Sequence, residues 1–124
     1  MKRGLLLFAH GARDPLWAQP FEEVVRRVTD RDPAVAVQLA FLEFMSPTLR
    51  EAGHSLALAG CRRVDVVPLF LGAGGHVRKD LPVLLAELST EYPQVEWKLQ
   101  SAIGEADSVI EAMAAAALQV LHLQ

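Results

Sequence analysis

The hydrophobic positions of this chain follow two alternating spacings. Short runs that are apolar throughout, or that alternate apolar with polar residues, are separated by longer stretches with apolar residues three and four positions apart. The short runs predict strands at residues 5–9, 35–43, 64–69 and 93–99, and the longer stretches predict helices at residues 17–29, 47–59, 78–89 and 106–121. Strands that alternate with helices in this way are typical of an α/β domain with a parallel sheet and right-handed crossovers.

We expect a three-layer fold, with a four-stranded parallel sheet of order 2-1-3-4 and helices on both faces. In a doubly wound sheet of this order the first and third strands flank the point where the strand order reverses, and ligands bind there, outside the carboxyl ends of the strands. The 124 residues are enough for one domain with its own core. We assign residues 1–124 to this domain because no linker, repeat or low-complexity tract divides them.

Local signals predict the ends of several helices. Ser46 and Pro47 predict an N-cap and the first residue of the second helix, and Gly60 predicts the end of that helix. Pro82 is expected near the first turn of the third helix, where proline is tolerated. The last helix is rich in alanine and has an apolar face that we expect to be buried. That face comprises Val109, Ile110, Met113, Ala117, Val120 and Leu121.

Composition and charge narrow the class of protein. Hydrophobic residues make up 52% of the chain and the formal net charge is −3, which argues against a nucleic-acid-binding protein with its basic surface. No apolar run reaches the roughly 20 residues that span a bilayer, so we expect no membrane association. The single cysteine, Cys61, excludes an internal disulfide and favours a reducing compartment, the cytoplasm.

Three residues of metal-ligand type occur where predicted strands end. His10, Glu43 and His76 each follow an apolar run that gives way to a loop, so parallel strands would bring them to one crevice. Two imidazoles and a carboxylate can bind a divalent transition metal and leave coordination positions open for a substrate. The alternative for His10 is a histidine that bonds to loop carbonyls, and the alternative for Glu43 is a salt bridge to Arg50.

Basic residues and glycines surround two of these positions. Arg13 follows the first histidine closely, and Arg78 and Lys79 follow the second, so these cations are candidates for binding the carboxylates of an anionic ligand. The alternative is solvated charge at loops and helix starts. The glycine-rich segment 72–75 could form a phosphate nest, but neither a P-loop nor a dinucleotide fingerprint is present.

Three segments follow the ends of the first three predicted strands. They read His-Gly-Ala-Arg-Asp-Pro at residues 10–15, Phe-Leu-Glu at residues 41–43, and Val-Pro-Leu-Phe-Leu-Gly-Ala-Gly-Gly-His-Val at residues 67–77. Together they resemble the small sirohydrochlorin chelatases, which are the cobalt chelatases of anaerobic cobalamin synthesis and their iron and nickel relatives. The resemblance extends over the whole chain in length and element order.

The resemblance implies a chelatase-like fold and a lyase that inserts a divalent metal into sirohydrochlorin. It also implies that His10 and His76 are the metal-binding histidines and that Glu43 is an acidic residue near the metal, so that these three form the catalytic set. Co²⁺, Fe²⁺ or Ni²⁺ would be a substrate, and we expect no organic cofactor.

Metal insertion has chemical requirements that these residue types meet. Two pyrrolic protons must leave, and the ion must pass from protein ligands to the macrocycle nitrogens. Imidazole binds metals and exchanges protons near neutral pH, and Glu43 would steady the ion or accept a proton. The macrocycle is flat, with apolar faces and a rim of carboxylates, so it needs an apolar cleft. The candidate cleft walls are Phe44, Met45, Phe70 and Leu71, and the alternative for each is a core residue.

We therefore predict a sirohydrochlorin metal chelatase of cobalamin or siroheme synthesis, with cobalt as the first choice of metal and iron or nickel as alternatives. Two other functions stay open: a metal or tetrapyrrole carrier without turnover, and a nucleotide-binding regulatory module that uses the glycine segment. We also expect a homodimer, because one small domain offers a crevice but little to cover a macrocycle. The last helix and the apolar residues after the second strand are the candidate contact surfaces.

Overall fold

The fold repeats a strand followed by a helix four times. The computed structural model describes all residues except Ala73, Gln124 and the side chain of His76. The strands are β1 (Arg3–Ala9), β2 (Ala36–Phe41), β3 (Arg63–Pro68) and β4 (Glu96–Leu99), and the helices are α1 (Gln19–Arg31), α2 (Leu49–Leu58), α3 (Gly75–Glu91) and α4 (Asp107–Gln119). Short 3₁₀ helices lie at Pro15–Ala18, Ile103–Glu105 and Val120–His122.

The four strands form one parallel sheet of order β2-β1-β3-β4, which confirms the predicted order. α1, α2 and α3 each return the chain to the end of the sheet where the next strand begins, so the strands run in one direction. They therefore finish at a common carboxyl edge. There Ala9 of β1 pairs with Phe41 of β2, and Phe8 of β1 pairs with Pro68 of β3. The loops that follow β1, β2 and β3 are thus neighbours.

The main core lies between the sheet and the helices α2 and α3. Leu6 and Phe8 of β1 belong to one buried cluster with Leu56 of α2 and Leu88 of α3. Burying a side chain of this size stabilises the fold by about 1.5–3 kcal/mol. Packing explains why a glycine occurs inside α2 at position 53, because a Cβ on Gly53 would lie 3.0 Å from Leu88 Cδ2. The close approach of the two helices thus outweighs the low helix propensity of glycine.

The opposite face of the sheet is divided into an apolar and a polar part. Over β1 and β2 it is covered by α1 and the preceding 3₁₀ helix, where Trp17 and Phe21 pack against Phe41. Over β3 it carries Asp65, whose carboxylate accepts hydrogen bonds from neighbouring side chains. The donors and donor-to-acceptor distances are Arg3 at 3.2 Å, Arg63 at 3.2 Å and Gln100 at 2.8 Å. Burial would raise the pKa of Asp65, but these bonds outweigh it and hold the pKa below its ordinary value.

α2 begins two residues later than the local signal predicts. Thr48 is its N-cap, and Thr48 and Glu51 form a capping box in which each side chain accepts a hydrogen bond from the backbone N–H of the other. The prediction of Ser46 as N-cap and Pro47 as first helical residue is therefore wrong, because the box satisfies two backbone donors at once. The predicted end is confirmed, since Gly60 follows α2 with a φ of 90°.

α3 begins earlier than predicted, inside the glycine-rich segment. Its first residue is Gly75, so Pro82 lies in the helix interior rather than in the first turn. Val77 and Leu81 are buried in the main core. Their packing accounts for the extra helical turn, although glycine disfavours helix and proline removes one backbone donor.

α4 has an environment that the sequence pattern did not predict. None of its residues is buried, and Ile110 and Met113 are 49% and 40% exposed. The prediction of a buried apolar face is therefore wrong for the single chain. On the face of the sheet opposite α2 and α3, β3 carries Asp65 and its ion pairs, and this polar surface does not match an apolar helix. None of the described helices, α4 included, is long and apolar enough to cross a membrane.

Candidate metal centre

The loops after β1 and β2 are joined by backbone hydrogen bonds. The N–H of Leu42 donates to the carbonyl oxygen of Ala9 at 2.9 Å, and the N–H of Glu43 donates to the carbonyl oxygen of His10 at 3.0 Å. These bonds continue the parallel pairing beyond the ends of the strands. The structure thus brings together two of the three predicted metal ligands, His10 and Glu43, and both are exposed at the carboxyl edge.

Gly11 permits this close approach of the two loops. Its φ is 89°, a conformation that residues with a side chain rarely adopt. A Cβ at this position would lie 1.9 Å from the carbonyl oxygen of Glu43. The glycine that follows His10 is the sequence signal for this contact, but its partner in the second loop can be identified only from the structure.

The imidazole of His10 packs against an aromatic ring from the loop after β3. The ring centroids of His10 and Phe70 are 4.4 Å apart, with 37° between the planes. Phe70 itself is only 4% exposed and contacts Phe8 edge to face, with ring centroids 6.0 Å apart. Phe70 is therefore a core residue, which is the alternative to its interpretation as a cleft wall. A ring contact of this kind orients an imidazole without using either of its nitrogens, so it is compatible with metal binding.

The third predicted ligand, His76, lies in the first turn of α3, directly after the loop from β3. Its side chain is outside the described part of the structure, so the three-residue set stays a prediction. Among the described side chains, no group of three or more histidine, cysteine, aspartate or glutamate residues could hold a metal ion. Of the three predicted ligands, the side chains of His10 and Glu43 are in the described part of the structure.

The predicted substrate-binding cations lie on the first loop and on the first turns of α3. The guanidinium carbon of Arg13 is 5.1 Å from the centroid of the Phe44 ring, which is a cation–π contact. Arg78 Nη2 is 3.9 Å from Glu105 Oε1 in an exposed ion pair, and Lys79 is exposed. Exposed pairs of this length are weak, so Arg78 can exchange Glu105 for a ligand carboxylate.

A largely apolar groove of about 520 Å³ lies between α1 and the segment after β2. Leu39, Phe41 and the predicted cleft wall Met45 line it, whereas His10 and Glu43 are outside its lining. The other two predicted walls are exposed on the loops, Phe44 at 58% and Leu71 at 71%. Phe44 and Leu71 thus provide exposed apolar surface on the loops after β2 and β3.

Comparisons with known proteins agree with this fold. The family model CbiX matches residues 4–120. A sirohydrochlorin cobaltochelatase from Methanosarcina acetivorans is 32% identical over 85 residues, which are 68% of this chain and 65% of that protein. The crystal structure of a CbiX protein from Marinobacter aquaeolei VT8 has a TM-score of 0.84 and 29% identity, covering 97% of this chain and 98% of that one.

A longer protein has the same fold in part of its chain. The sirohydrochlorin chelatase SirB from Bacillus subtilis subspecies spizizenii, solved in complex with cobalt, has a TM-score of 0.83 over 97% of this chain and 51% of its own, at 24% identity. The match to the Methanosarcina acetivorans protein likewise covers less than two thirds of that relative's length. The family model nevertheless extends over nearly all of the sequence. The chain therefore belongs to the CbiX family.

Proposed function

We propose that this chain inserts a divalent metal ion, cobalt in the first place, into sirohydrochlorin. The observation that carries the proposal is the backbone pairing that sets His10 beside Glu43 at the carboxyl edge of the sheet. The name of the Methanosarcina acetivorans relative, a sirohydrochlorin cobaltochelatase, supports the same substrate and the same metal.

In this proposal His10 and His76 bind the incoming ion, and Glu43 steadies it or accepts a pyrrolic proton. Insertion exchanges two N–H protons of the macrocycle for one M²⁺ ion, so two protons must pass to bases and then to water. His10 and Glu43 are both exposed and can release protons to solvent. Imidazole and carboxylate ligands suit Co²⁺, Fe²⁺ and Ni²⁺. This scheme uses no organic cofactor. The absence of an organic cofactor and the cytoplasmic location both stay predictions.

The substrate would be held by charge and by apolar surface. Sirohydrochlorin is flat and carries carboxylates on its rim. Arg13, Arg78 and Lys79 supply positive charge on the first loop and on α3, where guanidinium groups can bind carboxylates in a bidentate manner. Phe44 and Leu71 supply exposed apolar surface on neighbouring loops.

Anaerobic incubation with sirohydrochlorin and Co²⁺, Fe²⁺ or Ni²⁺ tests the proposal, because the absorbance of the macrocycle changes when the ion enters. We expect insertion faster than in the protein-free mixture, with Co²⁺ the fastest of the three. His54→Ala and His122→Ala are matched controls, because these exposed histidines lie on α2 and after α4 rather than at strand ends. Binding of sirohydrochlorin or metal without a gain in rate would indicate a carrier and refute the enzyme.

We also propose a homodimer of two-fold symmetry with α4 as its main contact surface. Ile110 and Met113 of α4 and Leu121 just after it are exposed apolar side chains. A helix of 13 residues is about 20 Å long. If each copy of α4 packs on the other subunit, the two contacts bury on the order of 1,000 Å², about the minimum for a specific interface. A second copy of the chain is the partner we propose for this surface, because a two-fold interface uses the same patch on both subunits. The second subunit would also supply a second wall for the macrocycle.

A further inference from the structure

Phe44 has a backbone conformation that its residue type disfavours. Among the described residues it is the one non-glycine residue with a positive φ, 66°. Left-handed backbone brings the Cβ of an L-residue close to the following carbonyl, and only asparagine and aspartate offset this with local side-chain hydrogen bonds. Phenylalanine has no such group. Some other interaction must therefore account for a phenylalanine at this position.

Core packing does not account for it. Phe44 is 58% exposed and belongs to neither of the two buried clusters in the described part of the chain. Its backbone is fixed from both sides, by the hydrogen bond from the Glu43 N–H to the His10 carbonyl and by that from the Phe41 N–H to the Pro47 carbonyl. The loop thus holds the ring outward, and strain of this kind is concentrated at functional sites.

The neighbours of Phe44 indicate which ligand it would meet. Glu43 precedes it in the chain, and the Arg13 guanidinium lies 5.1 Å from the ring centroid. An aromatic ring offers a flat apolar face, and a guanidinium at that ring offers a bidentate partner for a carboxylate. A flat conjugated ligand with carboxylates on its rim matches both groups at once.

We propose that Phe44 is a stacking surface for one pyrrole-derived ring of the tetrapyrrole, and that Arg13 binds a carboxylate on the rim of that ring. This inference rests on the proposed function and assigns Phe44 and Arg13 to one ring of its substrate. The Arg13 guanidinium lies over one face of the Phe44 ring, so the macrocycle would stack on the other face. A macrocycle is wider than a phenyl ring, so carboxylates on its rim would reach Arg13 past the edge of Phe44. The strained backbone presents the aromatic face before the substrate arrives, so little ordering is needed on binding.

Titration of the purified protein with metal-free sirohydrochlorin, followed by absorbance, tests the inference without requiring turnover. We expect Phe44→Ala to weaken binding about three- to tenfold, the range typical of one aromatic contact, and Phe44→Tyr to bind like wild type. In the insertion assay, KM for sirohydrochlorin should rise more than kcat falls. Leu58→Ala is the control, because Leu58 is 73% exposed at the end of α2.

Phe44→Gly separates binding from folding. Glycine adopts a positive φ without strain, so this variant should be at least as stable to urea as wild type while binding sirohydrochlorin as weakly as Phe44→Ala. Arg13→Gln should also weaken binding, and Arg13→Lys should recover only part of it because lysine lacks the planar fork.

Unchanged affinity in Phe44→Ala and Phe44→Gly would overturn the inference and leave the proposed function in place. Dissociation of a dimer by Phe44→Ala would also overturn it, because the exposed ring would then belong to a subunit interface. If wild-type protein neither binds sirohydrochlorin nor raises the insertion rate, the proposed function itself fails.

Discussion

Gly11 lies so close to Glu43 that a Cβ on residue 11 would be 1.9 Å from the Glu43 carbonyl oxygen. The two residues belong to different loops, and their contact determines how closely the backbones of the loops that carry His10 and Glu43 approach each other. We predict that Gly11→Ala destabilises the fold by at least about 2 kcal/mol and abolishes most metal insertion, because alanine disfavours the φ of 89° and the loops must separate. Urea unfolding and the insertion assay measure both effects. Gly72→Ala is the control, since a Cβ at that position meets nothing within 4 Å. A urea-unfolding midpoint that is the same in Gly11→Ala as in wild type would contradict the role of Gly11.

The histidines at the strand ends should be needed for chemistry but not for folding. We predict that His10→Ala and His76→Ala each lower the insertion rate about a hundredfold, because each variant loses an imidazole that would bind the incoming ion, and even residues that only support metal ligands are typically worth about 10- to 100-fold. Circular dichroism should show an intact fold in His10→Ala, because His10 is exposed in a loop. A soluble, folded variant with nearly wild-type insertion would remove that histidine from the proposed metal set.

Metal affinity should depend on pH because histidine binds a metal only in its neutral form. We predict that Co²⁺ binding weakens as the pH is lowered through roughly 6, since protons then compete with the ion. Isothermal titration calorimetry with Co²⁺ at a series of pH values measures this. Affinity that stays constant between about pH 5 and 8 would indicate a site without histidine.

The hydrogen bonds that Asp65 accepts should stabilise the fold in a pH-dependent way. Burial would raise its pKa, but the bonds from Arg63, Gln100 and Arg3 outweigh burial and lower it. A carboxyl whose pKa is lower in the folded state stabilises the protein above its unfolded pKa of about 3.9, and this contribution is lost as the pH falls through the folded pKa. We predict that Asp65→Asn costs about 1–2 kcal/mol at pH 7 and that the difference from wild type shrinks below about pH 4.

Urea unfolding of wild type and Asp65→Asn, measured at pH 7 and at about pH 3, checks this prediction. Asp30→Asn, at an exposed position on α1, serves as the control and should change stability little at either pH. An Asp65→Asn deficit of equal size at pH 7 and pH 3 would show that the loss does not depend on ionisation.

The exposed apolar side of α4 should hold two subunits together. We predict that wild-type protein sediments as a dimer at micromolar concentration and that Met113→Glu shifts it to monomer. The fold of each subunit should persist, because Met113 is 40% exposed in the single chain and is not part of its core. Glu111→Gln, a change at an exposed polar position of the same helix, should leave the dimer intact. A wild-type monomer that inserts metal at full rate would refute both the dimer and the shared cleft.

Local patterns were sufficient to predict the strands and the helices between them, and the strand order was the one expected of a doubly wound sheet. Alternating and continuous apolar runs are set by the residues themselves, and the β-α repeat leaves few topologies because crossovers are right-handed. The positions of His10 and Glu43 at strand ends followed from the same patterns, and the parallel order brought them to one edge. The resemblance of the loop motifs to a chelatase family added what periodicity does not contain, namely the reaction and its substrate.

Only the tertiary structure could determine the features that depend on contacts between distant segments. The fit of Gly11 against Glu43, the packing of His10 on Phe70 and the left-handed conformation of Phe44 each need two or three loops in place at once. The environment of α4 is another example, because its periodicity predicts an apolar face but does not specify whether its own sheet or a second chain covers that face. Sequence thus determined which surfaces are apolar and approximately where the strands end. Three-dimensional packing determined which of these segments meet, because contact free energy depends on distance in space rather than along the chain.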